Sequence, residues 1–272
     1  MPLSINFYKE TRKKLLNLIE EKDLEGFLVT NPANIFYFTG FFYVTNERPS
    51  GFYLSKNNKS KLFIPLLEKE NSENLKIDDI NIYEEYPGEI SPYSFMANNI
   101  SEKKIGTDIK NIDVLNLIKN NFEELNYKTE LEKFRFEKLE EEINLIVEAA
   151  KYADLTLEYL KECAKDMINQ NVNERELVKI CTEYAKNKML KKLPKDFDET
   201  PCNVVATIHS GPRGAFPHGK SLSRVPRKNE TLICGVGACI GGLYAESGVT
   251  FILGDPNKDQ EKIMIGMKEV ND

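Results

Sequence analysis

Gly235-Val236-Gly237-Ala238-Cys239-Ile240-Gly241-Gly242-Leu243-Tyr244-Ala245-Glu246-Ser247-Gly248-Val249-Thr250 decides the fold of the second half of the chain. Two apolar runs, residues 231–240 and 243–253, flank Gly241-Gly242. A two-residue glycine loop between such runs predicts a β-hairpin. In that register Ile240 faces Leu243, Gly237 faces Glu246, and Gly235 faces Gly248. Side chains alternate between the faces of a strand, so Gly235, Gly237, Glu246 and Gly248 share one face. A single carboxylate then stands among positions without side chains. Strand glycines mark close approach of a ligand or another backbone. A Gly-rich bend with an exposed Glu is the plainer alternative, and a slip of one residue would reverse the faces.

Upstream of the hairpin, residues 203–208 read as a strand and residues 209–220 as a Gly/Pro-rich loop holding both histidines of the chain. Histidine as a residue type exchanges protons near neutral pH. His218, beside a candidate pocket, fits an acid/base group, with a surface loop residue as the alternative. His209 is assigned a structural role. Arg213 offers a planar fork to a carboxylate, unless it is simply solvated. Residues 174–189 form a helix behind the N-cap Asn173. Residues 136–163 form another, with Leu139, Ile143, Ile146, Ala149, Ala150 and Ala153 at helical spacing. Downstream, Asp255-Pro256 breaks the strand, and residues 258–270 start a helix where the sequence stops. One helix past a central hairpin reads as an incomplete domain.

The N-terminal half alternates helices with short strands. Residues 6–22 are amphipathic, with Phe7, Leu15, Leu16, Leu18 and Ile19 as the stripe. Residues 24–30, 51–54, 61–66 and 80–83 read as strands, and 111–122 as a helix. An apolar run at 35–38 follows Asn31-Pro32 and ends at Gly40. This predicts an α/β domain with a mostly parallel or mixed sheet. A charged connector at 127–135 divides the chain into domains 1–128 and 129–272.

The 272 residues carry a formal net charge of −6 and are 41% hydrophobic. Acidic and basic residues are intermixed, which excludes the basic stripe of a nucleic-acid binder. No stretch has the design of a signal peptide, and no apolar run reaches membrane-spanning length. Five cysteines, an odd count at wide spacing, predict reduced thiols in the cytoplasm. Cys234 and Cys239 have no second pair at zinc-type spacing and read as packing residues.

Several segments, in one order, carry a resemblance. Asn31-Pro32-Ala33-Asn34-Ile35-Phe36-Tyr37-Phe38-Thr39-Gly40-Phe41 resembles the N-P-x-N-x-x-Y-L-T-G-F segment of creatinase N-terminal domains. Lys138-Leu139-Glu140-Glu141-Glu142-Ile143 resembles the K-x-x-E-E-I opening of the first pita-bread helix. Asn173-Glu174-Arg175-Glu176-Leu177 resembles a later T-E-x-E-L segment, and Ser210 through His218 resembles S-G-x-x-x-x-x-P-H. Residues 235–250 match, without a gap, the frame D-x-G-A-x-x-x-G-Y-x-S-D-x-T-R-T, followed by Gly254. On these motifs, spread over residues 10–262, the chain is identified as a member of the M24 creatinase/prolidase family.

The resemblance implies an α/β creatinase-type N-terminal domain followed by the first part of an α+β pita-bread domain. It implies hydrolysis of short Xaa-Pro peptides, with His218 catalytic and Arg213 and Phe216 binding substrate. It implies a divalent metal, manganese, cobalt or zinc, with ligands at positions 235 and 246. Position 235 is Gly, Glu246 is the lone remaining ligand position, and Val249 stands where the family has Arg. One Glu does not hold a catalytic ion. Three readings therefore stand: a peptidase incomplete in this chain, a metal-free amidinohydrolase of creatinase type, and a non-catalytic pairing or binding protein. Expected partners are a short peptide and either a second copy or a complementing second-half chain, with neither nucleic acid nor membrane. Tyr37, Phe38, Phe41 and Phe42 are expected in the core rather than on a pairing surface.

Overall fold

Ser4 caps helix α1 (Ile5–Glu21), its side chain accepting from the Phe7 N–H, and Phe7, Leu15 and Ile19 are buried on one stripe. The computed structural model describes residues 3–43, 47–84, 88–127, 131–216 and 218–271. After α1 come β1 (Gly26–Val29), α2 (Pro32–Thr39), β2 (Gly51–Ser55), β3 (Ser60–Pro65) and a single turn, α3 (Lys69–Ser72). Then follow β4 (Asp79–Tyr83), α4 (Pro92–Asn98), β5 (Lys104–Thr107), α5 (Ile112–Ile118) and β6 (Glu124–Asn126). The chain divides into two compact units, Met1–Glu141 and Glu142–Asp272.

In the first unit the six strands form one sheet in the order β4-β3-β2-β1-β5-β6. β1–β2 and β2–β3 are antiparallel, and the other pairs are parallel. The sheet is therefore mixed. Phe27, Val29, Phe52 and Leu54 pack against α1 and α2 through Leu15, Ile19, Ile35 and Phe38. Leu28, Tyr53, Phe63 and Ile105 turn the other way, onto Met96, Ala97, Leu115 and Ile118 of α4 and α5. Helices on both faces explain why every residue of β1 and β2 is buried.

The run at 35–38 lies inside α2. Asn31 caps that helix by accepting from Ala33 and Asn34, Pro32 opens it, and Gly40 ends it at φ 76°. Of the connector, residues 128–130 lie outside the described residues. Leu131–Arg135 is a short 3-10 helix. It belongs to the first unit, with Leu131 in the core and the Tyr37 hydroxyl donating to Phe134 O at 3.0 Å. Tyr37, Phe38 and Phe41 are buried as expected, but Phe42 is 38% exposed, which corrects its core assignment. Past Gly40 the backbone turns Phe41 and Tyr43 inward to stack at 5.4 Å. The residue between them faces out, with the edge of Phe36 at 5.9 Å.

The second unit holds α6 (Glu140–Asn169) from Glu142 onward, α7 (Glu174–Lys192), β7 (Asn203–Ser210), β8 (Thr231–Ile240), β9 (Leu243–Ile252) and α8 (Lys258–Asn271). Asn173 and Glu176 form a reciprocal capping box at the start of α7. β7-β8-β9 is an antiparallel sheet. Its hairpin has the expected register: Ile240 opposite Leu243, Gly237 opposite Glu246, Gly235 opposite Gly248. Gly241 and Gly242 take φ 58° and 80°, the left-handed pair such a turn demands. One sheet face, with Val204, Ile208, Leu232, Val236 and Ile240, packs on Leu157, Leu160, Leu177 and Ala185 of α6 and α7. Cys234 and Cys239 are buried and unpaired, and their odd spacing sets them on opposite faces. Burial pushes the Cys234 thiol up to about 12.

The loop expected at 209–220 is shorter than its sequence suggests. His209 and Ser210 continue β7 by pairing with Ile233 and Leu232, and Gly211–Ala215 coils as a 3-10 helix. The expected helix from 136 begins at Glu140. No helix among the described residues is long and apolar enough to cross a membrane.

Candidate functional site

The sheet face turned away from α6 and α7 carries Val205, Thr207, Gly235, Gly237, Tyr244, Glu246 and Gly248, by register and alternation. Thr207, Gly235 and Gly248 form one cross-strand row, and Val205, Gly237 and Glu246 the next. Glu246 is exposed. A Cβ at Gly235 would find Thr207 Oγ1 at 3.7 Å and nothing nearer, so the position is open as well as empty.

The histidine loop follows β7, and Pro217 lies outside the described residues. His218 is exposed and His209 is 95% buried by its 5% exposure. The His209 ring pairs with the Gly219 carbonyl, which folds the loop back over the end of β7. Ser221 fastens it further along: its hydroxyl accepts from Ile208 N–H at 2.8 Å and donates to Ile208 O at 3.0 Å. Arg213 sends Nη2 to the Lys220 carbonyl and holds Nε 3.4 Å from Glu174 Oε2. Its Nη1 has no partner among the described residues.

Arg213, Phe216, His218, Gly219, Lys220 and Leu222 line one cleft of about 520 Å³. The three loop residues singled out in the sequence thus stand around a common space. Phe216 is 60% exposed and supplies an apolar wall. Glu246 is not among the lining residues.

Beneath the loop lies a polar network that the sequence did not disclose. Glu174, fully buried at the first position of α7, accepts from Ser210 N–H at 3.0 Å, Ser210 Oγ at 2.7 Å and Leu222 N–H at 2.9 Å. Arg224 donates to Ser210 Oγ and to Glu230 Oε1. Burial alone would raise the Glu230 carboxyl, but hydrogen bonds from Arg224 and from Arg227 N–H hold it below the usual carboxylate range. The same pairing holds the Arg224 guanidinium above its ordinary value. Gly211, at φ 54°, lies so close to Glu230 that a Cβ would come within 2.7 Å of its Oε1. Only a residue without a side chain starts the loop there.

A paired-metal site needs several converging donors. The described residues contain no group of three His, Cys, Asp or Glu that could hold a metal ion. Position 235 has no side chain and Glu246 stands alone on its face. The residues present do not fit the paired divalent ions that the resemblance implies.

Two family patterns match this sequence. That of the creatinase/prolidase N-terminal domain matches residues 12–136, and that of metallopeptidase family M24 matches residues 144–272. The Xaa-Pro dipeptidase of Pyrococcus furiosus is 26% identical over 268 residues, covering 94% of this chain and 68% of the relative. Among solved structures, a dipeptidase from Pyrococcus horikoshii superposes with a TM-score of 0.72 at 21% identity, covering 93% of this chain and 68% of that one. The Xaa-Pro dipeptidase from Bacillus anthracis gives 0.71 at 20% identity, covering 94% and 68%.

Proposed function

The chain belongs to the M24 creatinase/prolidase family, with the N-terminal domain followed by catalytic-domain sequence, and from that premise we propose that it is the peptide-holding part of an Xaa-Pro peptidase. The observation that carries the proposal is the cleft shared by Arg213, Phe216 and His218. Arg213 Nη1 is free for one carboxylate oxygen of a short peptide. Phe216 offers a flat apolar wall suited to a proline ring, and the exposed His218 imidazole is placed to exchange a proton with the bound peptide. In this family paired divalent ions polarise the scissile carbonyl. In this reading Glu246 alone does not supply the donors such ions need, and no other group of donors stands among the described residues. The five unpaired cysteines suit a reducing compartment such as the cytoplasm.

The test is calorimetric titration of the purified chain with Ala-Pro in the presence of a chelator. Binding is expected without metal, weakened about tenfold or more by His218→Ala or Arg213→Ala, the scale of one charge-assisted contact. No Ala-Pro turnover is expected from this chain alone with added manganese, cobalt or zinc. Absence of binding at millimolar peptide would overturn the proposal. Chelator-sensitive turnover would show that the chain makes its own metal centre. Gly235 favours one alternative, a metal-free amidinohydrolase using His218. Chelator-resistant turnover of creatine would establish it instead.

A further inference from the structure

We propose that Glu174 is the positioning residue of the peptide-holding loop, its one carboxylate fastening both ends of the segment so that Arg213 and His218 face the cleft. The inference rests on the peptide-binding reading above. Ser210 is the last residue before the loop and Leu222 closes it. Glu174 Oε1 takes both Ser210 donors, at 3.0 and 2.7 Å, and Oε2 takes the Leu222 N–H at 2.9 Å. Oε2 also lies 3.4 Å from Arg213 Nε, so the residue that pins the ends orients one of the cleft's own side chains.

The attachment is rigid because it starts from a rigid element. Glu174 is the first residue of α7, between the two members of its capping box, where the helix N-terminus favours negative charge. Its own N–H donates to Arg224 O at 2.9 Å, and Arg175 N–H donates to Leu222 O at 3.2 Å. The returning segment of the loop is therefore stitched to the first turn of α7 at Glu174 and at the residue after it. Arg224, held by Glu230, reaches Ser210 Oγ from the far side. The carboxylate's hydrogen-bond partners are all donors, and the Arg213 guanidinium lies beside it. An isosteric amide would set its NH₂ against at least one of them and leave Arg213 without a counter-charge. Glu174 is thus specified as a carboxylate rather than merely as a polar residue.

His209 gives a direct readout of loop position. The chain has two histidines. His209 is covered by the loop through Gly219, whereas His218 is exposed. Ring resonances of ¹³C-labelled histidine, recorded with a soluble paramagnetic gadolinium chelate, should broaden for His218 and stay sharp for His209. In Glu174→Gln the His209 signal should also broaden, and Ala-Pro affinity should fall about tenfold or more, as expected when a binding group is displaced by about 1 Å. Leu177→Ala, a core truncation in the same helix, controls for lost stability. It should lower Tm yet leave His209 protected and affinity within about twofold, since it removes no polar contact. If Glu174→Gln does not fold, Ser210→Ala removes one of the two Ser210 donors and should give a smaller change in the same direction in both measurements. A folded Glu174→Gln chain with a protected His209 and wild-type affinity overturns the inference. So does Leu177→Ala if it reproduces both effects. A wild-type chain that binds no dipeptide overturns the functional reading and this role with it. The His209 signal, read without ligand, tells that failure from failure of the clasp.

Discussion

Gly235→Asp tests whether the open sheet face lacks a metal site for want of one carboxylate. The nearest atom to a new Cβ is Thr207 Oγ1 at 3.7 Å, an ordinary contact, so the substitution brings no steric strain. Replacing a mid-strand glycine gains about 0.5–1 kcal/mol of backbone entropy. Aspartate's poor fit to strands takes back up to about 1 kcal/mol. Gly235 pairs with Gly248 and Gly237 with Glu246, so the new carboxylate is a diagonal neighbour of Glu246, about 7–8 Å away by backbone. Repulsion between two unit charges at that distance in water is about 0.5 kcal/mol. The terms nearly cancel, and the metal-free variant should melt within about 4 °C of wild type. Manganese changes that balance. At about ten times the dissociation constant a ligand adds about 1.4 kcal/mol, and such a two-carboxylate site should bind on the order of millimolar. Thermal melts at increasing manganese should therefore rise by about 5 °C in Gly235→Asp, and Gly235→Asp with Glu246→Gln should lose the response. Wild type should not respond. An equal response in wild type, or none in a folded Gly235→Asp, would refute the reasoning that the two positions address one site.

Three further outcomes follow from the packing. Gly26→Ala should unfold the first unit at lower denaturant by about 2 kcal/mol or more: its Cβ would come within 2.0 Å of Tyr53 Oη, and Tyr53 is 1% exposed with nowhere to swing. Glu148, hydrogen-bonded by Lys151 and Lys192, is held at about 2 against an ordinary 4.5. A depressed carboxylate contributes stability that is fully present above about 4.5 and is lost as pH falls toward 2. The Tm gap between wild type and Glu148→Gln should close over that window, and a gap constant with pH would contradict the pairing. Along α8, Ile263, Ile265, Met267 and Val270 are 52–90% exposed, so the purified chain should associate with rising concentration. Ile263→Lys with Met267→Lys should abolish that in sedimentation, and unchanged association would place the contact elsewhere.

The hairpin was legible because two independent local rules agreed on it. Gly241-Gly242 supplied the turn, and the strict alternation around it fixed which residues share a face, so the register followed without tertiary information. Four strands of the first unit were legible for the same reason, as apolar runs bounded by turn residues, whereas the short β5 and β6 were not read from the sequence. Phe42 was not, because an aromatic beside Phe41 carries no mark of direction once Gly40 has ended the helix. The histidine loop was half legible. Its Gly and Pro content hid the fact that His209 and Ser210 still pair with β8, since strand pairing is set by the partner and not by the segment.

Glu174 was illegible for a physical reason. A glutamate in the first turn of a helix is what the helix N-terminus prefers in any case, so its presence reads as ordinary capping chemistry. Its contacts with Ser210 and Leu222 span 36 and 48 residues, far beyond any spacing rule. Yet the two glutamates explain each other's environments. Glu246 sits exposed opposite Gly237, where a carboxylate needs no partner and alone holds nothing. Glu174 is fully buried, where a carboxylate needs donors to converge on it, and three hydrogen bonds do, with the Arg213 guanidinium beside them. The charge that can order a binding surface in this chain is therefore the buried one, and the sheet face becomes chemically competent only when something supplies the donors that Gly235 lacks.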